Sequence, residues 1–123
     1  MTSVLIVEDE ESLADPLAFL LRKEGFEATV VADGPSALAE FERSGADIVL
    51  LDLMLPGMSG LEILTALRAD PRSADLPVLM LTAKGQGRDR EAAERAGVSA
   101  FMSKPFANAE MRARVRALMG LDA

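Results

Sequence analysis

Short, largely apolar runs recur five times along the chain, and a stretch with helical periodicity follows each of them. Three of the runs, VLIV, IVLL and VLML, contain no polar residue. A strand built from such a run has no face suited to water, so it fits best in a parallel sheet that helices cover on both sides. The predicted strands are residues 4–7, 28–32, 48–51, 78–81 and 100–102.

Helical patterns lie between these strands and after the last one. Ser12 with Asp15 resembles a capping box at the start of the first helix. The other predicted helix boundaries are Asp33-Gly34-Pro35 at the start of the second, residues 60–69 for the third, Gly97 at the end of a polar fourth, and Asn108 just before the fifth. The alternation predicts a single (βα)₅ domain of the α/β class, in which right-handed crossovers place helices on both faces of one doubly wound parallel sheet.

The composition narrows the function classes. Half of the 123 residues are hydrophobic, which fits one compact domain. The net charge of -7 opposes the counterion release that dominates nucleic-acid affinity, so direct binding to nucleic acid is not expected. The absence of Cys and His excludes thiolate nucleophiles, disulfides and histidine general bases. Because the sequence shows neither a basic leader nor a membrane-length apolar run, we expect no membrane association and, by default, a cytoplasmic location.

Polar residues lie at the C-terminal side of four predicted strands. Glu8-Asp9 follows the first strand, Asp52 the third and Thr82 the fourth, and Lys104 lies beyond the fifth. In open parallel sheets, ligands bind outside the carboxyl ends of the strands. Taken singly, these residues have ordinary interpretations: an acidic helix start, an Asx turn, a strand-end hydroxyl and an exposed loop cation. Their conjunction at one edge of one sheet favours a functional site.

Three carboxylates at one edge repel one another and need a cation. Lys104 carries one positive charge and cannot neutralise three acids, whereas carboxylate oxygens and water are the ligands that Mg²⁺ prefers. An ionised aspartate beside Mg²⁺ can attack phosphorus and form an aspartyl phosphate. The metal, the Lys104 ammonium and the Thr82 hydroxyl would then stabilise the three equatorial oxygens of the transferring group. Asp52 is therefore the predicted phosphoryl acceptor.

These residues resemble the receiver domains of two-component response regulators, including the chemotaxis-type receivers, and the resemblance spans essentially all of residues 1–123. It rests on Glu8-Asp9, on Asp52 followed by Leu-Met-Leu-Pro-Gly-Met-Ser-Gly, on Thr82-Ala83, and on Lys104-Pro105-Phe106. The resemblance implies a flavodoxin-like fold with strand order 2-1-3-4-5. It also implies a phosphoacceptor signalling domain rather than an enzyme, with self-catalysed phosphotransfer and slow autodephosphorylation.

The resemblance implies a role for each acidic residue of the site. Asp52 would take a phosphoryl group from a phosphohistidine on a sensor histidine kinase or a phosphotransfer protein. Asp9 and Asp52 would ligate Mg²⁺ directly, and Glu8 would act through water. Met54 would contribute its backbone carbonyl to the metal, so its side chain is not the functional part.

The resemblance also implies a conformational switch. Thr82 and Lys104 would each bind a phosphoryl oxygen, and Phe101 occupies the position of the family's aromatic switch residue. Thr82 would move toward the phosphoryl group and Phe101 would fill the vacated space. The surface of the fourth helix, the fifth strand and the fifth helix would change as a result. For Phe101 alone, packing in the core is an equally good interpretation.

The last helix, EMRARVRAL, resembles that of regulators with a winged-helix DNA-binding domain, which dimerise through this face. Ser99-Ala100 stands where those proteins usually have two acidic residues, so a phosphorylation-dependent homodimer would lack their ion pairs. The chain is expected to be either a stand-alone receiver with a downstream protein target or the N-terminal module of a regulator with a fused output domain. The segment KGQGRDR is predicted to be a flexible loop before the fourth helix.

Three other functions share parts of this pattern. A flavodoxin-type cofactor binder would have the same fold, but here the loop after the first strand reads EDEES and the aromatic content is 4%. A phosphohydrolase with an aspartate nucleophile usually has a second acid two residues on, where this chain has Met54. A degenerate receiver would be a phosphorylation-independent protein interaction module, although here the set of acids, hydroxyl and ammonium is complete.

Overall fold

The computed structural model describes residues 2–82 and 87–120. Strands and helices alternate along the described part of the chain. In order they are β1 (Ser3–Val7), α1 (Glu11–Lys23), β2 (Glu27–Val31), α2 (Gly34–Ser44), β3 (Ile48–Asp52), α3 (Gly60–Ala69), β4 (Val78–Thr82), α4 (Gly87–Ala96), β5 (Ala100–Ser103) and α5 (Asn108–Leu118). No helix in these two ranges is long and apolar enough to cross a membrane.

The five strands form one parallel sheet in the order β2-β1-β3-β4-β5. This confirms the predicted flavodoxin-like, doubly wound fold. The register places Val7 of β1 opposite Val31 of β2 on one side and opposite Leu51 of β3 on the other. The C-terminal ends of β1 and β3 are therefore neighbours, at the point where the strand order reverses.

The sheet carries one apolar core on each face. Leu17 and Leu21 of α1 pack with Met111 and Val115 of α5 on one face. On the other face, α2, α3 and α4 pack against the strand residues that point to that side. Those residues of the central strands have almost no exposed area. This double coverage is the reason that β1, β3 and β4 are apolar throughout rather than alternating.

The capping box predicted at Ser12 and Asp15 is wrong. Helix α1 begins at Glu11, so both residues lie inside the helix, and Glu10 occupies the cap position without a side-chain hydrogen bond. The backbone N–H of Glu10 instead donates to Oε2 of Glu8 at 3.3 Å. The Glu8 carboxylate holds the turn after β1, so the helix can begin immediately after it.

Other boundaries also differ by a few residues. The predicted loop KGQGRDR is helical from Gly87, where Asp89 in the first turn of α4 complements the helix dipole. The rest of that segment, with Ala83, Lys84 and residues 85–86, lies outside the described residues. Helix α5 begins at Asn108 rather than after it, because the Met111 N–H already donates to the Ala107 carbonyl at 3.1 Å.

Gly60 allows the segment after β3 to fold back against that strand. Its N–H donates to the carbonyl of Leu53 at 3.0 Å. A Cβ at this position would overlap the Asp52 carbonyl oxygen and lie 2.8 Å from Leu53 Cα. Both neighbours are backbone atoms, so neither can rotate away. Glycine is needed here because α3 begins directly against the backbone of Asp52.

We expect Gly60→Ala to lower the free energy of unfolding by about 1–3 kcal/mol, since the added methyl group forces the backbone after Asp52 to shift. Gly87→Ala is the control, because a Cβ at Gly87 meets no atom within 4 Å. Urea unfolding followed by circular dichroism measures both. Equal stabilities of the two variants would contradict the close approach at Gly60.

Candidate functional site

The end of β1 contributes two carboxylates that differ in exposure. Glu8 is 2% exposed, whereas Asp9 is exposed. The Glu8 N–H donates to the Val31 carbonyl at 3.0 Å, which fixes the backbone at the end of the strand. The Glu8 side chain therefore points into the protein while Asp9 remains open to solvent.

Asp52 is the last residue of β3. The strand ladder continues to this position, where Asp52 is opposite Leu81 and the next N–H, of Leu53, donates to the Leu81 carbonyl at 3.1 Å. Asp52 is 5% exposed, and its Oδ1 accepts a hydrogen bond from the Met54 N–H at 3.3 Å. The strand pairing and this hydrogen bond therefore fix the position of the nearly buried Asp52 carboxylate.

Lys104 joins the two buried carboxylates. Its Nζ lies 2.8 Å from Oε1 of Glu8 and 3.2 Å from Oδ2 of Asp52. Its backbone N–H donates to the Thr82 carbonyl at 2.6 Å, which places the lysine beside the end of β4. Burial by itself lowers the pKa of the Lys104 ammonium, but the hydrogen bond that it donates to Glu8 and the charges of Glu8 and Asp52 outweigh this effect, so its pKa is raised.

Thr82 ends β4, and the ladder continues through it to Ser103 of β5. Thr82 is 1% exposed, and its Oγ1 has no hydrogen-bond partner within the described ranges. A buried hydroxyl without a partner costs about 1–3 kcal/mol. The hydroxyl is therefore available to an oxygen that a bound group would bring to the site.

The three acids form one cluster. Glu8, Asp9 and Asp52 each offer a carboxylate oxygen, and these oxygens lie within 4.8 Å of one another. With Lys104, the cluster has three negative charges and one positive charge, so a divalent cation would balance it. Oxygen donors of this kind suit a hard cation such as Mg²⁺. The chemistry of the donor set fits the metal that the sequence predicts.

The remaining sequence-predicted residues lie around this cluster. The side chain of Met54 is 63% exposed, so it does not contribute to the buried part of the site. Phe101 is half-buried in β5 and packs against the core formed with α2, α3 and α4. Its contacts with that core agree with the packing interpretation.

Sequence reasoning missed an apolar groove beside the site. It has a volume of about 190 Å³, and its walls include Leu13, Pro16 and Phe106, together with Glu8 and Lys104. Leu13 is 38% exposed. An exposed leucine in the otherwise polar first turn of α1 and the Pro-Phe pair after Lys104 were the available signals, but only the fold brings them together.

Residues 4–116 match the family model for the response regulator receiver domain. The sensory transduction protein RegX3 of Mycolicibacterium smegmatis is 64% identical over 119 residues, which cover 97% of this chain and 51% of RegX3. The DNA-binding response regulator MtrA of Mycobacterium leprae is 44% identical over 114 residues, which cover 93% of this chain and 49% of MtrA.

A solved structure shares the fold over nearly its whole length. The receiver domain of the sensor histidine kinase PA1611 from Pseudomonas aeruginosa PAO1 matches with a TM-score of 0.89 and 32% identity, covering 97% of this chain and 98% of that one. That structure is described with a magnesium ion coordinated in its active site cleft.

The chain belongs to the family of response regulator receiver domains of two-component systems. It is accordingly a signalling domain rather than a classical enzyme. Receiver domains bind Mg²⁺ at an acidic site, and this chain has an acidic cluster formed by Glu8, Asp9 and Asp52. The chain spans about half the length of the curated relatives it matches.

We expect Lys104→Met to lower the free energy of unfolding in metal-free buffer by about 2–3 kcal/mol, because it leaves the buried carboxylates of Glu8 and Asp52 without their cation. Lys23→Met, on the exposed face of α1, serves as the control. Urea unfolding at neutral pH in the presence of a chelator provides the measurement. A Lys104 variant as stable as the Lys23 variant would show that the ammonium does not hold the cluster together.

Proposed function

We propose that the chain, as one receiver domain over residues 1–123, accepts a phosphoryl group on Asp52 in a Mg²⁺-dependent reaction. The donor is a phosphohistidine on a sensor histidine kinase or phosphotransfer protein. The observation that carries the proposal is the Lys104 ammonium between Glu8 and Asp52, with Asp9 beside them. No simpler structural role accounts for three carboxylates so close together at the ligand-binding edge of this sheet.

Asp52 has the properties of a nucleophile toward phosphorus. A carboxylate attacks in its ionised form, so the reaction requires no general base, which agrees with a sequence that contains no histidine. One Asp52 oxygen would form a bond to phosphorus as the phosphorus–nitrogen bond to the donor imidazole breaks. The electron pair of that bond leaves with the imidazole, which takes up a proton. The product is an aspartyl phosphate.

The acidic cluster supports a Mg²⁺ site. Asp9 and Asp52 would ligate the ion directly, Glu8 would act through water, and Met54 would offer its backbone carbonyl. Bound Mg²⁺ supplies charge neutralisation for the oxygens of the transferring phosphoryl group. The same positive charge would relieve the mutual repulsion of the three acids.

Lys104 and Thr82 would complete the phosphoryl site. In the structure, the Lys104 ammonium is held at the acceptor by Asp52, so it is already within reach of an oxygen added there. The buried Thr82 hydroxyl has a hydrogen-bonding capacity that no described residue uses. A phosphoryl group on Asp52 would give both groups an oxygen partner. The phosphorylated state would therefore be favoured by contacts that the unmodified protein lacks.

These contacts would drive the switch. Met80 lies opposite Phe101 in the β4–β5 register, and Thr82 lies two residues beyond Met80, on the same face of the sheet. A movement of Thr82 toward Asp52 would open space beside Phe101. The ring would fill it and alter the surface of α4, β5 and α5. This surface would bind a downstream protein target, a fused output domain or a second copy of the chain.

The phosphoryl group would be lost slowly by self-catalysed hydrolysis. The residue two positions after the acceptor is Met54, whose exposed thioether is only a weak hydrogen-bond acceptor. A weak acceptor of this kind would hold an attacking water molecule less firmly than a carboxylate would.

Among the longer relatives, MtrA is named as a DNA-binding response regulator. The name of this relative supports a DNA-binding output domain fused to the receiver domain.

Intact-mass spectrometry after incubation with acetyl phosphate tests the acceptor directly. We expect one phosphoryl adduct on the wild-type chain in the presence of Mg²⁺, none with a chelator, and none on Asp52→Ala, because the variant lacks the nucleophile. Asp47→Ala, a carboxylate at the opposite edge of the sheet, is the control and should be modified like the wild type. If no adduct forms with acetyl phosphate or with a phosphorylated kinase, the chain is instead a phosphorylation-independent interaction module.

Mg²⁺ binding should stabilise the fold through the same residues. At a Mg²⁺ concentration 100 times the Kd, the free energy of unfolding should rise by about 2.7 kcal/mol. Asp9→Asn should lose most of this gain, whereas Asp15→Asn, an exposed carboxylate in α1, should retain it. Thermal unfolding over a Mg²⁺ series measures the effect. Identical responses of the two variants would contradict a metal site at Asp9.

A further inference from the structure

The ring of Phe101 lies beneath a cation from the neighbouring helix. The guanidinium carbon of Arg90 in α4 is 4.7 Å from the centre of the Phe101 ring in β5, within the range of a cation–π interaction. From the other side, Nη1 of Arg114 in α5 donates to the Phe101 backbone carbonyl at 3.1 Å. The residue at the proposed switch position therefore contacts side chains from both helices of the proposed output surface.

Helix α4 contributes small apolar side chains to the core, with Ala93 buried and Ala96 partly buried against it. Ala93 is its one buried residue within the described ranges, and an alanine buries little apolar area. The turn after α4 is held separately, by Arg68, whose Nε donates to the Gly97 carbonyl at 2.8 Å. The contact between Arg90 and Phe101 links the N-terminal half of α4 directly to β5.

The contact depends on where the Phe101 ring lies. In the structure the ring is half-buried, with Arg90 against it. An inward movement of the ring into space vacated by Thr82 would take it away from the guanidinium on the surface. After such a movement the cation–π interaction would be lost, so the interaction would favour the unphosphorylated state.

We propose that Arg90 is a positioning residue that holds Phe101 in its outer position and thereby opposes the switch, an inference that rests on the proposed function. An exposed cation–π contact corresponds to a factor of about two to five in an equilibrium constant. Loss of the contact shifts the population toward the phosphorylated conformation by that factor and releases the first half of α4.

Beryllofluoride with Mg²⁺, a mimic of the phosphoryl group, tests the direction of the bias. Because Arg90→Met keeps the aliphatic length and removes the charge, it should lower the Kd for beryllofluoride about two- to five-fold, as measured by ¹⁹F NMR. Arg90→Lys, which keeps a cation, should restore most of the wild-type value. Arg95→Met, on the same helix and also exposed, should leave the Kd unchanged. An unchanged or raised Kd in Arg90→Met would overturn the proposal, since general damage to the fold weakens binding rather than strengthening it.

Hydrogen exchange of α4 in the metal-free, unphosphorylated chain separates this inference from the proposed function. Arg90→Met should raise exchange in the first half of α4 relative to Arg95→Met, whether or not the site binds a phosphoryl group. Equal exchange in the first half of α4 in the two variants would overturn the proposed role of Arg90 and would leave the proposed function untouched. A wild-type chain that fails to bind beryllofluoride would contradict the proposed function. It would therefore also contradict the coupling of Arg90 to the switch.

Discussion

The Lys104 ammonium between Glu8 and Asp52 is the interaction on which the site depends. Each carboxylate is nearly buried, and a buried charge is costly unless it is paired. One lysine can satisfy both only if the ends of β1, β3 and β5 lie at the same edge of the sheet. The 2-1-3-4-5 strand order meets this condition, because it makes β1 and β3 neighbours and leaves one strand between β3 and β5.

The fold and the site constrain each other closely around Asp52. The strand ladder fixes the aspartate backbone through Leu81, and Gly60 lets α3 begin directly against it. Charge balance is left incomplete, because three acids face one ammonium within the cluster. Under the proposed function, a divalent cation and a phosphoryl oxygen would complete the charge balance of this cluster.

Much of this could be predicted from the sequence, because uninterrupted apolar strands and strand-end polar residues are local signals with direct geometric consequences. The Mg²⁺ ligands and the acceptor role of Asp52 stay predictions. The capping box predicted at Ser12 failed because α1 begins earlier than expected, at Glu11, so Ser12 lies inside the helix. The contact of Arg90 with Phe101 left no signal in the sequence, because it joins two elements whose separation is set only by packing. Local sequence patterns predict single helices and strands, and they carry the least information about side-chain contacts between different elements.

The most direct test of the central claim is to locate the phosphoryl group chemically. Sodium borohydride reduces an acyl phosphate to an alcohol, so the acceptor aspartate would be converted to homoserine and found by peptide mapping. The account predicts homoserine at position 52 alone, in a chain phosphorylated in the presence of Mg²⁺. Homoserine or its glutamate-derived counterpart at positions 8 or 9, or a phosphoryl adduct that borohydride does not reduce, would contradict it.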